Sequence, residues 1–147
     1  MIRLLALLTL AMVTGAPAPA ARVETKHLIV ETSSASRAGR RVTLFVDVTP
    51  KPGMHVYAPG QPDYIPVSLT ITSNPRVSSR PARFPRPEKY FFKPLGETQL
   101  VYSKRFRIVQ DVTLQPGAIE ITGTLRYQAC DDVMCYMPVT VLLSWMN

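Results

Sequence analysis

The segment Val42-Thr43-Leu44-Phe45-Val46-Asp47-Val48 decides the fold class. Val42, Leu44, Val46 and Val48 recur at every second position, with Thr43, Phe45 and Asp47 between them. Successive side chains of a β-strand point to opposite faces, so this period puts four aliphatic residues on one buried face. The pattern repeats outward from this segment. Val67, Leu69 and Ile71 alternate with Ser68, Thr70 and Thr72. Ile119, Ile121, Leu125 and Tyr127 stay in step, with Gly123 read as a bulge or a close-approach point. Val139, Val141, Leu143 and Trp145 close the chain in the same manner. His27 to Val30 reads as a first strand, on which His27 is a face residue, and Leu100 to Val109 reads as another.

No window carries a helical period, and the 14 prolines oppose long helices. Turn signals at Ala38-Gly39, Pro50-Lys51-Pro52-Gly53, Ser73-Asn74-Pro75 and Gln115-Pro116-Gly117 separate the runs. Six or seven short strands predict an all-β fold, an immunoglobulin-like two-sheet antiparallel β-sandwich with long capping loops; a barrel is the alternative. Two loops are rich in aromatics: residues 50–66, with Met54, His55, Tyr57 and Tyr64, and residues 81–96, with Tyr90, Phe91 and Phe92. Such side chains either staple a loop onto the core or cover something.

The chain has 147 residues, enough for one domain and a short extra segment. With 46% hydrophobic and 18% charged residues it is globular rather than disordered. Met1-Ile2-Arg3 followed by the apolar run Leu4 to Val13 reads as a signal peptide, too short to span a bilayer. Ala18-Pro19-Ala20 has the small-x-small form of a cleavage site, so residues 1–20 are a leader and residues 21–147 the mature domain. Losing Arg3 lowers the net charge from +7 to +6. The basic residues are scattered, with a local cluster at Arg76, Arg80, Arg83, Arg86, Lys89 and Lys93. In an exported protein that basicity argues for a solvated face or for steering acidic partners, and against nucleic acid. The expected state is a monomer.

Any chemistry sits in Tyr127-Gln128-Ala129-Cys130-Asp131-Asp132-Val133-Met134-Cys135-Tyr136-Met137-Pro138, which holds both cysteines. An oxidising compartment permits a disulfide. Fully extended, the five steps from Cys130 to Cys135 span about 17 Å, whereas bridged Cα atoms lie about 4.4–6.8 Å apart. A bond therefore needs the chain to fold back, and Asp131-Asp132 is a suitable turn. So short a closure stabilises little, about 2 kcal/mol in the chain-entropy view. That favours a bond that opens and closes over a passive staple. Asp131 and Asp132 disfavour thiolate, so exchange depends on the partner's nucleophile and on access.

Tyr127-Gln128-Ala129-Cys130, a short acidic loop, then Cys135 and Pro138 resembles the cysteine motif of the N-terminal domain of DsbD, a transmembrane thiol–disulfide interchange reductase. Gly53-Met54-His55-Val56-Tyr57, Ile65-Pro66-Val67 and Phe84-Pro85-Arg86-Pro87-Glu88 resemble further segments of that family in order. The resemblance implies a periplasmic, immunoglobulin-like domain that relays reducing equivalents by disulfide exchange. Its partners are then thioredoxin-fold proteins, a reductant on one side and disulfide isomerase-like acceptors on the other. It implies Cys130 and Cys135 as the redox-active pair, with Cys135 the residue that joins a partner and Cys130 the one that closes the internal bridge. It also implies an aromatic cap, with Phe91 or its neighbours Tyr90 and Phe92 in the matching region, and Tyr127 and Tyr136 as further cap or partner-contact residues. No cofactor or metal is called for. The chain stops at Asn147, without the family's membrane conduit, so the expected reductant is a separate protein, such as a membrane reductase. Whether the chain is itself an enzyme, a protein-disulfide reductase component, stays open.

Two other classes compete. Cys130, Met134, Cys135 and Met137, with Met54 and His55 nearby, are soft ligands that suit a Cu(I)-binding module. The chain also fits a structural interaction domain with a passive disulfide. A hydrolytic triad is unsupported, since His27 and His55 have no serine or acid at a recognisable spacing, and no Gly-rich phosphate loop occurs.

Overall fold

The computed structural model describes residues 21–117 and 120–146. The leader read at residues 1–20 and the strand position read at Ile119 lie outside the described residues. The decisive segment lies in strand β3, Arg41–Pro50, which is central to a five-stranded sheet. Around it run β1 (Arg22–Glu24), β2 (Leu28–Ser36), β9 (Phe106–Leu114) and β6 (Val77–Ser79), in the order β1-β2-β3-β9-β6. Register aligns the faces: Val46 opposes Ile108, Val48 opposes Phe106 and Val30, and all of these are buried.

A three-stranded sheet in the order β12-β10-β5 uses β5 (Ser68–Ile71), β10 (Glu120–Tyr127) and β12 (Val139–Met146). Its buried Ile121, Leu125, Val141, Leu143 and Trp145 share one core with Leu44, Val46 and Ile108 of the first sheet. Thr32 Oγ1 donates to the Ser144 carbonyl (2.7 Å) and the Trp145 indole N–H to the Phe45 carbonyl (3.1 Å), tying the layers together. A four-stranded sheet, β11-β4-β8-β7, is built from β4 (His55–Tyr57), β7 (Glu88–Phe92), β8 (Glu97–Tyr102) and β11 (Ala129–Cys130). Tyr57 N donates to Gln128 O (3.4 Å) and Val67 N to Tyr57 O (2.8 Å), joining this sheet to the three-stranded one. The fold is an all-β antiparallel sandwich of immunoglobulin-like architecture.

Several readings change. There are twelve strands among the described residues rather than six or seven, because the additional ones run for only two to five residues and show no period. The run Leu100 to Val109 is two strands in different sheets, broken at Ser103, whose N–H (3.1 Å) and hydroxyl (2.8 Å) both donate to the Glu88 carboxylate. The aromatic stretches are not free loops: His55 to Tyr57 form β4, and Tyr90 to Phe92 belong to β7. Gly123 pairs without interruption to Leu143 and Ile71, so it is no bulge. A Cβ there would lie 2.6 Å from the Thr70 carbonyl and 3.3 Å from the Trp145 ring, so close approach is the reason for glycine. His27 precedes β2, buried against Tyr136 (4.6 Å between ring centroids) and Tyr127 (6.2 Å).

Candidate functional site

Strand β10 ends at Tyr127, and after Gln128 the chain pairs again as β11, with Cys130 opposite His55 of β4. The next residues turn back because Asp131 supplies the acceptors. Its carboxylate takes the N–H groups of Val133 (2.9 Å) and Met134 (2.8 Å) and the Tyr136 hydroxyl (2.6 Å). This is the local side-chain-to-backbone bonding that makes aspartate a turn former. These bonds, the Tyr136 hydroxyl first, hold the Asp131 carboxyl below the usual carboxylate range. Asp131 N to Met134 O (2.9 Å) and Tyr136 N to Ala129 O (2.8 Å) complete the turn. Cys135 returns opposite Cys130, with Cα atoms 4.0 Å apart, and the two sulfurs are bonded.

The two cysteines are not equivalent. Cys130 is fully buried, in a cluster with Tyr57 and Val101; Cys135 is partly exposed and packs on that cluster from outside. The Tyr57 hydroxyl lies 3.1 Å from Cys135 Sγ and 3.2 Å from Cys130 Sγ. Neither sulfur of a disulfide carries a proton, so the hydroxyl is the donor to both. Burial, with help from Tyr64 and Glu97, pushes the Tyr57 hydroxyl up to about 12, so it keeps its proton at neutral pH. Tyr64 stacks on Tyr57 (4.3 Å between centroids) and donates to Glu97, which also accepts from Gln99 (2.7 Å). Those two donors hold the Glu97 carboxyl low.

Of the aromatics read as a cap, Tyr90 is brought to the site. It packs on the cysteine cluster, lies 4.5 Å from the His55 ring and donates its hydroxyl to Asp132 (2.8 Å). Phe91, the preferred candidate, stands on the opposite face of β7 and is 57% exposed, because neighbouring strand residues alternate. Phe92 is buried. Tyr127 is buried in the main core with its hydroxyl on Thr25 Oγ1 (2.8 Å). Tyr136 flanks Cys135, partly exposed, between His27 and Lys26. Tyr57 and Tyr64 join the site beyond the residues the sequence points to. Their signal was present in the Gly53 to Tyr57 segment, but nothing in a sequence aims a hydroxyl at two sulfurs.

Asp131 and Asp132 do not act as free charges beside the pair: one is engaged by its own loop and the other by Tyr90. Both soft thiol ligands are consumed in the disulfide, and Met134 and Met137 project to solvent. Among the described residues no group of three or more His, Cys, Asp or Glu forms a metal-binding arrangement.

Residues 25–145 match the family model described as thiol:disulfide interchange protein DsbD, N-terminal. The chain belongs to this family. The DsbD N-terminal assignment agrees with three solved structures of the same fold. The N-terminal periplasmic domain of ScsB from Proteus mirabilis is 16% identical with a TM-score of 0.62, over 83% of this chain and 49% of that one, so the chain spans about half its length. The reduced DsbD N-terminal domain of Neisseria meningitidis is 16% identical with a TM-score of 0.56, over 83% and 86% of the two chains. A complex between the DsbD N-terminal and PilB N-terminal domains of Neisseria meningitidis matches at 16% identity and TM-score 0.50, over 69% and 73%. No curated protein matches. As a DsbD N-terminal-type domain, the chain carries its two cysteines as a closed pair in the Ala129 to Tyr136 turn.

Proposed function

We propose that this domain relays reducing equivalents by thiol–disulfide exchange, with Cys135 as the sulfur that partners attack. The observation that carries this is the asymmetry of the pair: Cys135 is partly exposed, whereas Cys130 is fully buried. A reduced thioredoxin-fold partner presents a thiolate to Cys135 Sγ. A bond forms between the partner's sulfur and Cys135, the Cys130–Cys135 bond breaks, and Cys130 leaves as a thiolate. A buried thiolate is costly without a partner, and the protonated Tyr57 hydroxyl stabilises it. The donor's second thiolate then attacks the donor sulfur of the mixed disulfide. This releases Cys135 as a thiolate and leaves the donor oxidised by two electrons. The reverse sequence delivers those electrons to an oxidised acceptor.

Val133 (72% exposed), Met134 and Met137 line the loop with apolar surface that suits a docked protein. The complex with a PilB N-terminal domain supports a protein partner for domains of this kind. The domain works in the periplasm as residues 21–147, after removal of the leader; the small-x-small site at Ala18 to Ala20 supports this, and the ScsB relative is a periplasmic domain. Incubating the oxidised domain with reduced thioredoxin tests the reading. Reduction of the bond, with one reduced thioredoxin oxidised per domain, is the expected result. A bond that survives in a natively folded domain would make the pair a passive staple.

A further inference from the structure

Part of the arginine cluster has no role in the disulfide site. The structure sends Arg80 and Arg83 to a cleft of about 500 Å³ on the outer face of the five-stranded sheet, where Arg37 and Arg41 join them. Phe45 and Val109 form part of its lining. Both arginine-bearing segments are fixed by main-chain bonds. Arg37 N donates to Arg41 O (2.8 Å), and on the other side Arg80 N donates to Asp111 O (2.9 Å). Arg83 and Val109 exchange N–H···O bonds of 2.8 and 3.0 Å, and the Gln110 amide donates to Arg80 O (2.7 Å).

The side chains are also organised. Arg37 Nε donates to Thr43 Oγ1 (3.0 Å), Thr43 Oγ1 to Asp111 (2.8 Å), and Arg83 Nη1 to the other Asp111 oxygen (2.8 Å). Asp111, the one acid of the lining, is thus already satisfied by Arg83 and Thr43. Among the described residues Arg41 and Arg80 have no carboxylate partner. Four guanidinium groups against one carboxylate leave a formal excess of three positive charges. At the same end of the sheet, Arg40 and Arg76 bond neutral acceptors among the described residues, Gln115 Oε1 and Gly117 O, and add to the field. Planar guanidinium forks suit multiply charged oxyanions, and the two held by side-chain bonds, Arg37 and Arg83, lose little freedom on binding them.

We propose that this cleft binds a phosphate-bearing anion. It lies near the start of β3, whereas the cysteine turn pairs with β4 just beyond the end of β3, roughly 25 Å along the strand direction at about 3.4 Å per residue. A ligand held there leaves Cys135 free for exchange. The phosphate can belong to a lipid headgroup or to a soluble phosphoester, and the test separates them.

Pyrophosphate is titrated calorimetrically into the folded domain, and co-sedimentation with vesicles containing phosphatidylglycerol is measured in parallel. Wild type is compared with Arg41→Gln/Arg80→Gln and with Lys104→Gln/Arg126→Gln, which removes the same charge elsewhere. The expected result is pyrophosphate binding, vesicle retention, or both, weakened at least tenfold in the Arg41/Arg80 variant and less than threefold in the control. Retention on vesicles without pyrophosphate binding assigns the headgroup; pyrophosphate binding without retention assigns a soluble phosphoester. No binding of either, equal weakening in both variants, or tighter binding of a glutamate-rich peptide than of pyrophosphate would overturn the proposal.

Discussion

Tyr57 is where one functional group does the most for the chemistry. Its hydroxyl reaches both sulfurs, and its raised pKa keeps it a donor across the neutral range. Tyr57→Phe keeps the ring and removes only the donor. A hydrogen bond worth about 1 kcal/mol to the departing sulfur corresponds to about a fivefold slower reduction by thioredoxin. Stopped-flow tryptophan fluorescence measures this, and an unchanged rate would remove Tyr57 from the mechanism. The cysteines and their turn were legible because Asp131-Asp132 is a turn signal of known chemistry. Tyr57 was not, because its role depends on β4 lying beside β11, a pairing 73 positions apart in sequence.

At the level of elements, the β7–β8 hairpin positions Tyr90 over the cluster, and a single exposed hydrogen bond to Asp132 ties that residue to the cysteine turn. A contact of that kind opens readily. Tyr90→Phe removes the tie and keeps the packing, so dithiothreitol should reduce the disulfide about two- to fivefold faster, as expected for loss of about 0.5–1 kcal/mol. Tyr90→Ala should exceed that, whereas Phe91→Ala, on the far face, should leave the rate within about twofold. Equal effects at positions 90 and 91 would contradict the assignment of the face. The long strands were readable from their period, since Val42 to Val48 and Val139 to Trp145 each have one buried face. The short strands β4, β7 and β11 were not: two to five residues hold too few repeats, and the neighbours that fix them are distant.

Across the whole molecule, two buried histidines couple the fold to pH. His27 and His55 both titrate below the ordinary histidine value, chiefly because burial penalises the charged ring. Lys26 and Lys51 add to this at His27, while Asp132, Asp131 and Glu88 oppose it at His55. Below about pH 6.5 the unfolded chain takes up protons that the folded one refuses, so acidification favours unfolding. The stability contribution is complete above that pH and declines as pH falls toward the lowered folded values. Urea midpoints should therefore drop between pH 7.5 and 5, before the carboxylates Asp47 and Asp111, held low by Arg107 and Arg83 respectively, begin to titrate. A His27→Gln/His55→Gln variant should show a flatter profile over that window; an equally steep one would place the pH dependence elsewhere.

The most direct measurement identifies the attacked sulfur. The oxidised domain is mixed with a reduced thioredoxin whose resolving cysteine is serine, quenched in acid, alkylated, and mapped by peptide mass spectrometry. The expected result is the thioredoxin sulfur on Cys135 and the alkyl label on Cys130. An adduct on Cys130, or none while the domain stays folded and its bond closed, would contradict an exchange centre built on a reachable Cys135.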